Sequence, residues 1–394
     1  MTKKTVRDVE VAGKRVLVRV DFNVPLTESG EIEDDTRIRA ALPTLRYLLD
    51  KGASLVIMSH LGRPKGQVVD KLRLDPVAKR LGELLGAPVR KLDQVVGPEV
   101  EEVCSALRPG EAVLLENLRF HPGETANDPE FAAALARLGD LYVNDAFGAA
   151  HRAHASVVGV AERLPAVAGL LMEKELRALG GLVQNPGRPF VAVLGGSKIS
   201  DKLKVLSRLR ELVDTLILGG GMCFTIMKWK GLEIGKSLCE EDFLDQVGEL
   251  VEGGPAGGAE ILLPRDLVVA DDFRPDAESR VVDAEHIPPG WMGLDIGPRT
   301  CEAYASRIGQ AATVFWNGPM GVFEWERFQE GTRRVAEAIA SSGAVTVAGG
   351  GDTIAAIRKF GLEDRFTHIS TGGGASMEFL EGKVLPGVEV LQEK

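Results

Sequence analysis

Residues 190–212 read FVAVLGGSKISDKLKVLSRLREL, and this stretch indicates how the chain folds. Residues 190–195 begin with a continuous apolar run, which is typical of a strand buried on both faces of a parallel sheet. Two glycines end the run, and residues 201–212 then repeat leucines at helical spacing. The stretch therefore predicts a β-strand that passes through a glycine loop into an α-helix.

The same alternation of apolar runs and helical patterns extends over the whole chain. The predicted strands are residues 15–22, 54–61, 112–118, 141–147, 190–195, 215–219, 261–269, 313–316, 344–348 and 368–370. Helical patterns lie between them, for example at residues 76–85 and 327–340. Alternation of this kind is typical of α/β proteins. We expect two doubly wound, Rossmann-like parallel-sheet domains joined by a helix and a hinge.

The length of 394 residues suits two domains of ordinary size. A helical pattern begins at Leu170 and ends before the breaker sequence Asn185-Pro186-Gly187. We therefore predict an N-terminal domain at residues 1–169, an interdomain helix at 170–185 and a C-terminal domain at 186–380. Residues 381–394 are predicted to form a tail that packs back on the N-terminal domain.

Composition argues against several classes of protein. The net charge of -10 disfavours a nucleic-acid-binding protein, which needs a basic surface for phosphates. The four cysteines are far apart, which disfavours a disulfide framework and suits a reducing compartment. No apolar stretch follows the N-terminal lysines, and no segment is apolar for long enough to span a membrane. We expect a cytoplasmic protein.

Polar and basic residues follow the predicted strands of the first half. The basic side chains at or beyond these strand ends are Arg19, Arg37, His60, Arg63, Arg119 and Arg152. Ligands of open α/β sheets bind at the carboxyl ends of the strands, and arginine holds carboxylate or phosphate through two parallel hydrogen bonds. A single arginine is more often a solvated surface residue. Together they predict a pocket for an anionic ligand.

Glycines follow the predicted strands of the second half, as at residues 195–196, 219–221, 349–351 and 372–374. Backbone N–H groups exposed by glycine can bind phosphate where a helix follows, although one such cluster alone usually marks a turn. Lys198 and Lys202 could reach phosphates, and Asp352 could hold Mg²⁺ or cap a helix. Residues 231–237 (GLEIGKS) are one residue short of a P-loop, and no cluster completes G-x-G-x-x-G.

These segments together resemble the phosphoglycerate kinase family. The matching stretches are RVDFNVP at 19–25, SHLGRPKG at 59–66, ENLRFH at 116–121, NDAFGAAHRAHAS at 144–156, LGGSKISDKL at 194–203, GLDIGP at 293–298, WNGPMGVFE at 316–324, GGGDT at 349–353 and HISTGGGAS at 368–376. The resemblance covers nearly the whole chain. It implies glycolytic phosphoryl transfer between 1,3-bisphosphoglycerate and ADP, giving 3-phosphoglycerate and ATP, by a monomeric enzyme that uses Mg²⁺.

The resemblance also implies roles for individual residues. It assigns 3-phosphoglycerate to Asp21, Phe22, Asn23, Arg37, His60, Leu61, Gly62, Arg63, Arg119 and Arg152. It assigns the nucleotide to Lys202, Gly219, Gly220, Gly293, Asn317, Pro319, Glu324, Gly350, Gly351, Asp352 and Thr353. Glu324 is expected on the ribose and Asp352 on Mg²⁺. Our candidates for stabilising the charge on the transferring phosphoryl group are Arg37, Lys198, the backbone amides of Gly372, Gly373 and Gly374, and Mg²⁺.

The acceptor in the ATP-consuming direction is then a carboxylate, which is ionised at pH 7 and needs no general base. Acid and nucleotide are expected on different domains, so we predict that the domains close for transfer. One alternative is an NAD-dependent dehydrogenase, and the missing dinucleotide fingerprint argues against it. The other alternative is a two-lobed binding protein for an anionic metabolite, which would bind 3-phosphoglycerate without phosphorylating it.

Overall fold

A computed structural model describes residues 2–252 and 258–394 of the chain. The chain divides into two compact units. Unit 1 comprises Met1–Arg177 and Val384–Lys394, and unit 2 comprises Ala178–Lys383. The division falls within the helix Leu170–Gln184, which the sequence predicts at this position.

Unit 1 contains a parallel six-stranded sheet. Its strands are β1 (Arg15–Arg19), β2 (Ser54–Met58), β3 (Val89–Lys91), β4 (Ala112–Leu114), β5 (Leu141–Asn144) and β6 (Ala166–Ala168). Every residue of β2 is buried, as expected of an apolar run with helices on both faces of the sheet. The strands β3 and β6 were not predicted: β3 contains two basic residues and no apolar run, and β6 is separated by one residue from the apolar start of α5, so no pattern marks it as a separate strand.

Helices cover this sheet. They are α1 (Thr36–Asp50), α2 (Asp75–Leu85), α3 (Pro98–Ser105), α4 (Pro129–Ala136) and α5 (Leu170–Gln184). Pro is the first residue of α3 and α4, where its missing N–H costs no intrahelical hydrogen bond. Leu45 and Leu48 of α1 and Leu81 of α2 pack into one apolar core against β1 and β2. This core fixes the helix α1, whose first turn carries Arg37.

Unit 2 contains a second parallel six-stranded sheet and a smaller antiparallel one. Its strands are β7 (Phe190–Leu194), β8 (Thr215–Leu218), β9 (Glu260–Leu262), β10 (Asp266–Ala270), β11 (Ser279–Asp283), β12 (Met292–Ile296), β13 (Thr313–Asn317), β14 (Val345–Ala348) and β15 (His368–Ile369). The prediction of one strand at 261–269 is wrong. The polypeptide leaves the parallel sheet after β9, and β10 pairs with β11 and β12 in the antiparallel sheet.

The helices of unit 2 flank the parallel sheet. They are α6 (Leu203–Leu212), α7 (Met222–Trp229), α8 (Leu244–Glu252), α9 (Pro298–Ile308), α10 (Glu330–Ser341), α11 (Gly351–Lys359) and α12 (Gly374–Leu380). Trp316 of β13 and Tyr304 of α9 are buried in the core between sheet and helices. None of the helices within residues 2–252 and 258–394 combines the length and apolar character needed to cross a bilayer.

The last residues of the chain pack on unit 1 and include a short helix, α13 (Pro386–Glu389). The ammonium of Lys3 donates to the carbonyl oxygens of Glu389 and Leu391, each at 2.9 Å. The side-chain amide of Asn144, at the end of β5, donates to Gly387 O at 2.9 Å. These bonds join the C-terminal segment to the carboxyl end of the unit 1 sheet.

The strand order of each parallel sheet reverses at one point. The orders are β3-β4-β2-β1-β5-β6 and β15-β14-β13-β7-β8-β9. Successive strands are added on one side of β1 or β7, and the chain then crosses to the other side. Ligands of open α/β sheets bind outside the carboxyl ends of the strands at such a reversal. The expected sites therefore lie beyond β1 and β5 in unit 1, and beyond β7 and β13 in unit 2.

Candidate substrate and nucleotide sites

The loop after β1 carries a carboxylate that pairs with the first turn of α1. Asp21 forms an ion pair with Arg37, the second residue of that helix. Burial works against ionisation of Asp21, but the basic side chains around it lower its pKa below the ordinary value. The charged carboxylate therefore holds the Arg37 guanidinium near the carboxyl end of the sheet.

Arg19, the last residue of β1, is fully buried and donates to protein groups. Its Nε donates to Ser156 Oγ at 2.8 Å, and this hydroxyl donates to Glu124 Oε1 at 2.6 Å. The Ser156 N–H donates to the same carboxylate at 3.0 Å. Arg19 is therefore a supporting residue of the pocket. Glu124 was not predicted, because an isolated glutamate in a loop carries no motif.

His60 follows β2 and is buried beside Arg19. Its Nδ1 lies 3.1 Å from Arg19 Nη2. A guanidinium can only donate, so Nδ1 accepts and the proton of the neutral ring is on Nε2. Burial, together with the charges of Arg19, Arg119 and Arg37, lowers the pKa of His60 well below its ordinary value. The ring is therefore neutral at pH 7, with Nε2–H as a hydrogen-bond donor.

Arg63, Arg119 and Arg152 form no ion pair with any residue in the described ranges. Arg119 Nη1 donates to Gly62 O at 2.8 Å, whereas its buried Nε has no partner there. Burial, followed by repulsion from Arg152 and Arg19, lowers the pKa of Arg119 to about 10. Arg119 keeps its charge at pH 7. Arg119 is buried, Arg152 is half-buried and Arg63 is exposed, so unit 1 carries positive charge without an acidic partner in the described ranges, which attracts an anion.

Asn117, another residue that the predictions omit, holds several loops of this pocket in place. Its side-chain NH₂ donates to Leu61 O at 2.8 Å and Leu72 O at 2.9 Å. Its side-chain oxygen accepts from the N–H groups of Leu61 at 3.2 Å and Arg119 at 3.1 Å. The motif ENLRFH contains Asn117, but sequence alone does not separate a ligand contact from a loop contact.

Some predicted substrate residues have side chains that face away from solvent. Phe22 is fully buried and Leu61 is 2% exposed, and both belong to the apolar core of unit 1. Asn23 Oδ1 accepts from Gly62 N–H at 2.8 Å, which fixes the loop that carries Arg63. Gly62 has a φ of 64°, a conformation that favours glycine. These four residues shape the pocket through the backbone and through packing.

Unit 2 contains a cavity of about 510 Å³ beyond the carboxyl ends of β7, β8 and β13. Of the residues predicted to bind nucleotide, it is lined by Gly220, Gly293, Pro319, Glu324 and Asp352. The others, which are not on its wall, are Lys202, Gly219, Asn317, Gly350, Gly351 and Thr353. The apolar wall of the cavity was not predicted, and it includes Phe224, Leu238, Phe273, Met292 and Met320. Only the fold brings these separate apolar residues together.

Three glycines are required by close packing at the cavity, which Gly293 and Gly220 line and which Gly219 adjoins. A Cβ on Gly293 would overlap the ring of Phe224, which lies against β12. Gly220 has a φ of 68°, and a Cβ there would lie 2.6 Å from Gly196 N. Gly219 packs directly on Met320, whose Sδ would be 2.6 Å from an added Cβ. These glycines let the aromatic and thioether side chains form the cavity wall.

Lys202 connects the loop after β7 with the loop after β13. Its ammonium donates to the backbone and side-chain oxygens of Asn317, and Asn317 Nδ2 donates to Gly349 O at 2.7 Å. Burial lowers the pKa of Lys202 to about 8, although Asp352 and Asp201 oppose this shift. Thr353 Oγ1 accepts from Gly318 N–H at 2.7 Å. Lys202, Asn317 and Thr353 thus fix the loops around the cavity.

The predicted transfer residues of unit 2 lie in different surroundings. Lys198 is exposed in the loop after β7, and Asp352 is exposed in the first turn of α11. Gly372 N–H donates to Ser370 Oγ at 3.1 Å, so this amide is already engaged. Gly373 has a φ of 52° and begins the turn into α12. Of the two glycines, Gly373 therefore keeps the more available backbone N–H.

Asp295 is a further buried acid on the cavity wall. Its carboxylate accepts from Ile296 N–H at 2.9 Å and from Gly331 N–H at 2.7 Å. Burial raises the pKa of Asp295 to about 8, which outweighs the effect of these two bonds. Asp295 is therefore mainly protonated at pH 7, and it joins β12 to the start of α10.

Comparison with known proteins identifies the family to which this arrangement belongs. The sequence profile described as phosphoglycerate kinase matches residues 6–383. The phosphoglycerate kinase of Rubrobacter xylanophilus is 60% identical over 394 residues, covering 100% of this chain and 99% of that protein. The chain belongs to the phosphoglycerate kinase family. The phosphoglycerate kinase of Moorella thermoacetica is 59% identical, with 100% of each chain covered.

Solved structures of phosphoglycerate kinases have the same fold. The structure from Coxiella burnetii gives a TM-score of 0.90 at 42% identity and covers 98% of each chain. The structure from Pyrococcus horikoshii gives a TM-score of 0.86 at 36% identity, covering 100% of this chain and 98% of that one. The predicted fold class, family and enzyme class are confirmed. The chain is a phosphotransferase of a glycolytic family, and neither alternative is favoured.

Proposed function

We propose that this phosphoglycerate kinase transfers a phosphoryl group between 1,3-bisphosphoglycerate and ADP, using the basic pocket of unit 1 for the acid and the cavity of unit 2 for the nucleotide. The observation that carries this assignment is the presence in unit 1 of three arginines without an ion-pair partner in the described ranges. A small, multiply charged acid supplies the missing negative charges.

Arg63, Arg119 and Arg152 bind the phosphate and carboxylate groups of 3-phosphoglycerate. Guanidinium groups suit both groups, since their planar forks match paired oxygens. His60 donates through Nε2–H, because its Nδ1 accepts from Arg19 and the ring proton is therefore on Nε2. Asp21 keeps Arg37 in place, because their ion pair forms before the ligand arrives. Phe22, Asn23, Leu61 and Gly62 contribute backbone and packing.

The nucleotide base lies against the apolar wall of the unit 2 cavity, and Gly293 and Pro319 border it. Glu324 is exposed on that wall and its carboxylate has no partner within the described ranges, so it suits the ribose hydroxyls. The phosphates lie toward Lys202 and the first turn of α11. Free N–H groups and the helix dipole favour anions at that end of a helix.

Asp352 is suited to Mg²⁺ that arrives with the nucleotide. Its carboxylate is exposed on the cavity wall, and Mg²⁺ typically binds proteins through one or two carboxylates together with substrate phosphates. When bound, the ion neutralises part of the charge on the phosphate oxygens. Thr353 and Gly350 keep the α11 turn in position through contacts with Gly318 and Asn317.

Transfer requires positioning and charge neutralisation, because an ionised carboxylate attacks without a general base. Arg37, Lys198 and the N–H of Gly373 stabilise the charge on the transferring group. Gly372 supports them, since its own N–H donates to Ser370. Because the pocket and the cavity belong to different units, the units close around both substrates and exclude water.

A steady-state coupled assay for ADP formed from MgATP and 3-phosphoglycerate tests whether unit 1 binds the acid and unit 2 binds the nucleotide. Arg63→Ala is expected to raise the KM for 3-phosphoglycerate at least tenfold and leave the KM for MgATP unchanged. Glu324→Ala is expected to do the reverse. If either variant raised the KM for 3-phosphoglycerate and the KM for MgATP by similar factors, separate sites would be contradicted. An inactive wild-type protein would contradict the proposed function.

The partners of the enzyme follow from this chemistry. They are small molecules, namely 3-phosphoglycerate, 1,3-bisphosphoglycerate, ATP and ADP. We further propose a monomer that acts in the cytoplasm and binds no nucleic acid, in keeping with the net charge of -10. Size-exclusion chromatography with light scattering tests the monomer, whose expected mass is 42.3 kDa.

A further inference from the structure

The loop that carries Lys198 is fixed on its N-terminal side by the backbone of neighbouring loops. Gly195 N–H donates to Asn317 O at 3.0 Å, and Gly196 N–H donates to Pro319 O at 2.9 Å. Gly196 O accepts from Met222 N–H at 3.1 Å. Ser197 and Lys198 then become exposed. The polypeptide is therefore well defined up to the residue before Ser197.

A single carboxylate fixes the same loop on its C-terminal side. Glu240 Oε2 accepts from Ile199 N–H at 2.7 Å and from Ser200 N–H at 3.0 Å. Glu240 Oε1 accepts from Ser200 Oγ at 2.7 Å. Charge-assisted bonds to backbone N–H groups are stronger than neutral ones. Glu240 therefore holds the two residues that directly follow Lys198.

Glu240 is itself anchored to a helix of unit 2. Its backbone N–H donates to Thr225 Oγ1 at 3.2 Å, and Thr225 is buried in α7. Burial opposes ionisation of Glu240, but the hydrogen bonds from Ser200 and Ile199, followed by the charge of Lys198, lower its pKa below the ordinary value. Lys202, the other lysine of this loop, donates to Asn317 and has no part in these contacts. Glu240 thus acts on Lys198 by a route that does not involve Lys202.

We propose that Glu240 is a positioning residue for phosphoryl transfer, which holds the Lys198 backbone so that the ammonium meets the transferring phosphoryl group. This inference rests on the proposed role of Lys198. Displacement of a catalytic group by about 1 Å can lower the rate about 100-fold. Loss of Glu240 therefore lowers kcat, whereas nucleotide affinity depends on the cavity and on Lys202 and is retained.

Two substitutions separate the hydrogen bonds of Glu240 from its charge. Glu240→Ala removes all three bonds to the loop. Glu240→Gln keeps an oxygen for the two N–H groups, and its NH₂ can donate to the Ser200 hydroxyl, which rotates to accept. We expect kcat to fall at least tenfold in Glu240→Ala and to stay within about threefold of wild type in Glu240→Gln. The Kd for MgATP is expected to change less than about threefold in both.

The matched control is Glu241→Ala, since Glu241 is exposed and makes no contact with Ile199 or Ser200. Its kcat and Kd are expected to equal those of the wild type. Lys198→Ala tests the underlying assignment: retention of kcat in that variant would remove the proposed role of Lys198. If Lys198→Ala is impaired but Glu240→Ala is fully active, or if Glu240→Ala weakens MgATP binding as much as it lowers kcat, the positioning role is wrong.

Discussion

The proposed role of Lys202 in attracting the nucleotide phosphates predicts that nucleotide binding depends on pH. Its pKa is lowered to about 8 by burial, against an ordinary value of 10.5. The protonated form attracts phosphate, so the affinity is present below the folded-state pKa and is lost as the pH rises through it. We expect the Kd for ATP to increase by up to about tenfold per pH unit above pH 8.

Calorimetric titrations between pH 6.5 and 9.5 measure this effect, with Lys202→Met as the comparison. The variant is expected to bind ATP weakly and without the step near pH 8. Persistence of the same step in Lys202→Met would assign the titration to another group. Asp295, whose pKa is raised to about 8 by burial, is the group to substitute next in that case.

Gly293 allows a second prediction about a single residue. An added methyl group would overlap the Phe224 ring, so this part of the cavity wall would have to shift. Gly293→Ala is expected to weaken nucleotide binding at least tenfold and to leave 3-phosphoglycerate binding unchanged. Gly290 lies outside the cavity and has open space for a methyl group, but its φ of 84° makes an alanine there strained. Gly290→Ala therefore serves as a control for loss of stability without a change in the cavity wall. Unchanged nucleotide affinity in Gly293→Ala would contradict the assigned base position.

Elements with a strong periodic signal were predicted from sequence, and elements fixed by tertiary pairing were not. β7 is an apolar run between a proline and two glycines, and the structure confirms it at Phe190–Leu194. β11, with mostly exposed residues, was missed because it has no apolar run. The antiparallel sheet β11-β10-β12 depends on pairing between distant segments, so local pattern cannot reveal it.

The loop contacts of Asn117 allow a prediction about the edge of unit 1 that we propose binds 3-phosphoglycerate. Its four hydrogen bonds join the loop after β2, the turn at Asp70–Leu72 and the backbone of Arg119. Asn117→Leu leaves these buried groups without partners and is expected to destabilise the protein by about 3 kcal/mol. It is also expected to raise the Kd for 3-phosphoglycerate more than tenfold.

Thermal unfolding and calorimetry at 20 °C, where the variant stays folded, separate the two effects of Asn117→Leu. Nucleotide affinity is expected to remain at the wild-type value, since the cavity lies in unit 2. Weaker binding of both ligands would indicate general loss of structure. Normal binding of 3-phosphoglycerate by a destabilised protein would show that Asn117 does not position the pocket.

Across the whole chain, sequence motifs predicted most of the loops at the two proposed sites. They did not predict the residues that hold those loops in place. The strand-end arginines were recognised because several of them recur at the carboxyl ends of predicted strands, where open α/β sheets bind ligands. Glu124, Asn117 and Glu240 act by binding backbone or a second side chain. Such contacts join residues that are far apart in sequence, and no local pattern identifies them.

The assignment of acid and nucleotide to separate units predicts a change of shape during the reaction. Small-angle scattering with 3-phosphoglycerate, a non-hydrolysable ATP analogue and Mg²⁺ is expected to give a smaller radius of gyration than the free protein. Either ligand alone is expected to produce less than half of the change. A radius of gyration that stays constant with all ligands present would argue against closure.

A single-turnover experiment shows whether groups of both units act together on one phosphoryl group. Labelled ATP, Mg²⁺ and saturating 3-phosphoglycerate are mixed with excess enzyme, and transfer is followed in the wild type and in Arg37→Ala. We predict rapid transfer by the wild type and at least 100-fold slower transfer by Arg37→Ala, with ATP affinity unchanged. Transfer by Arg37→Ala at the wild-type rate would contradict the account.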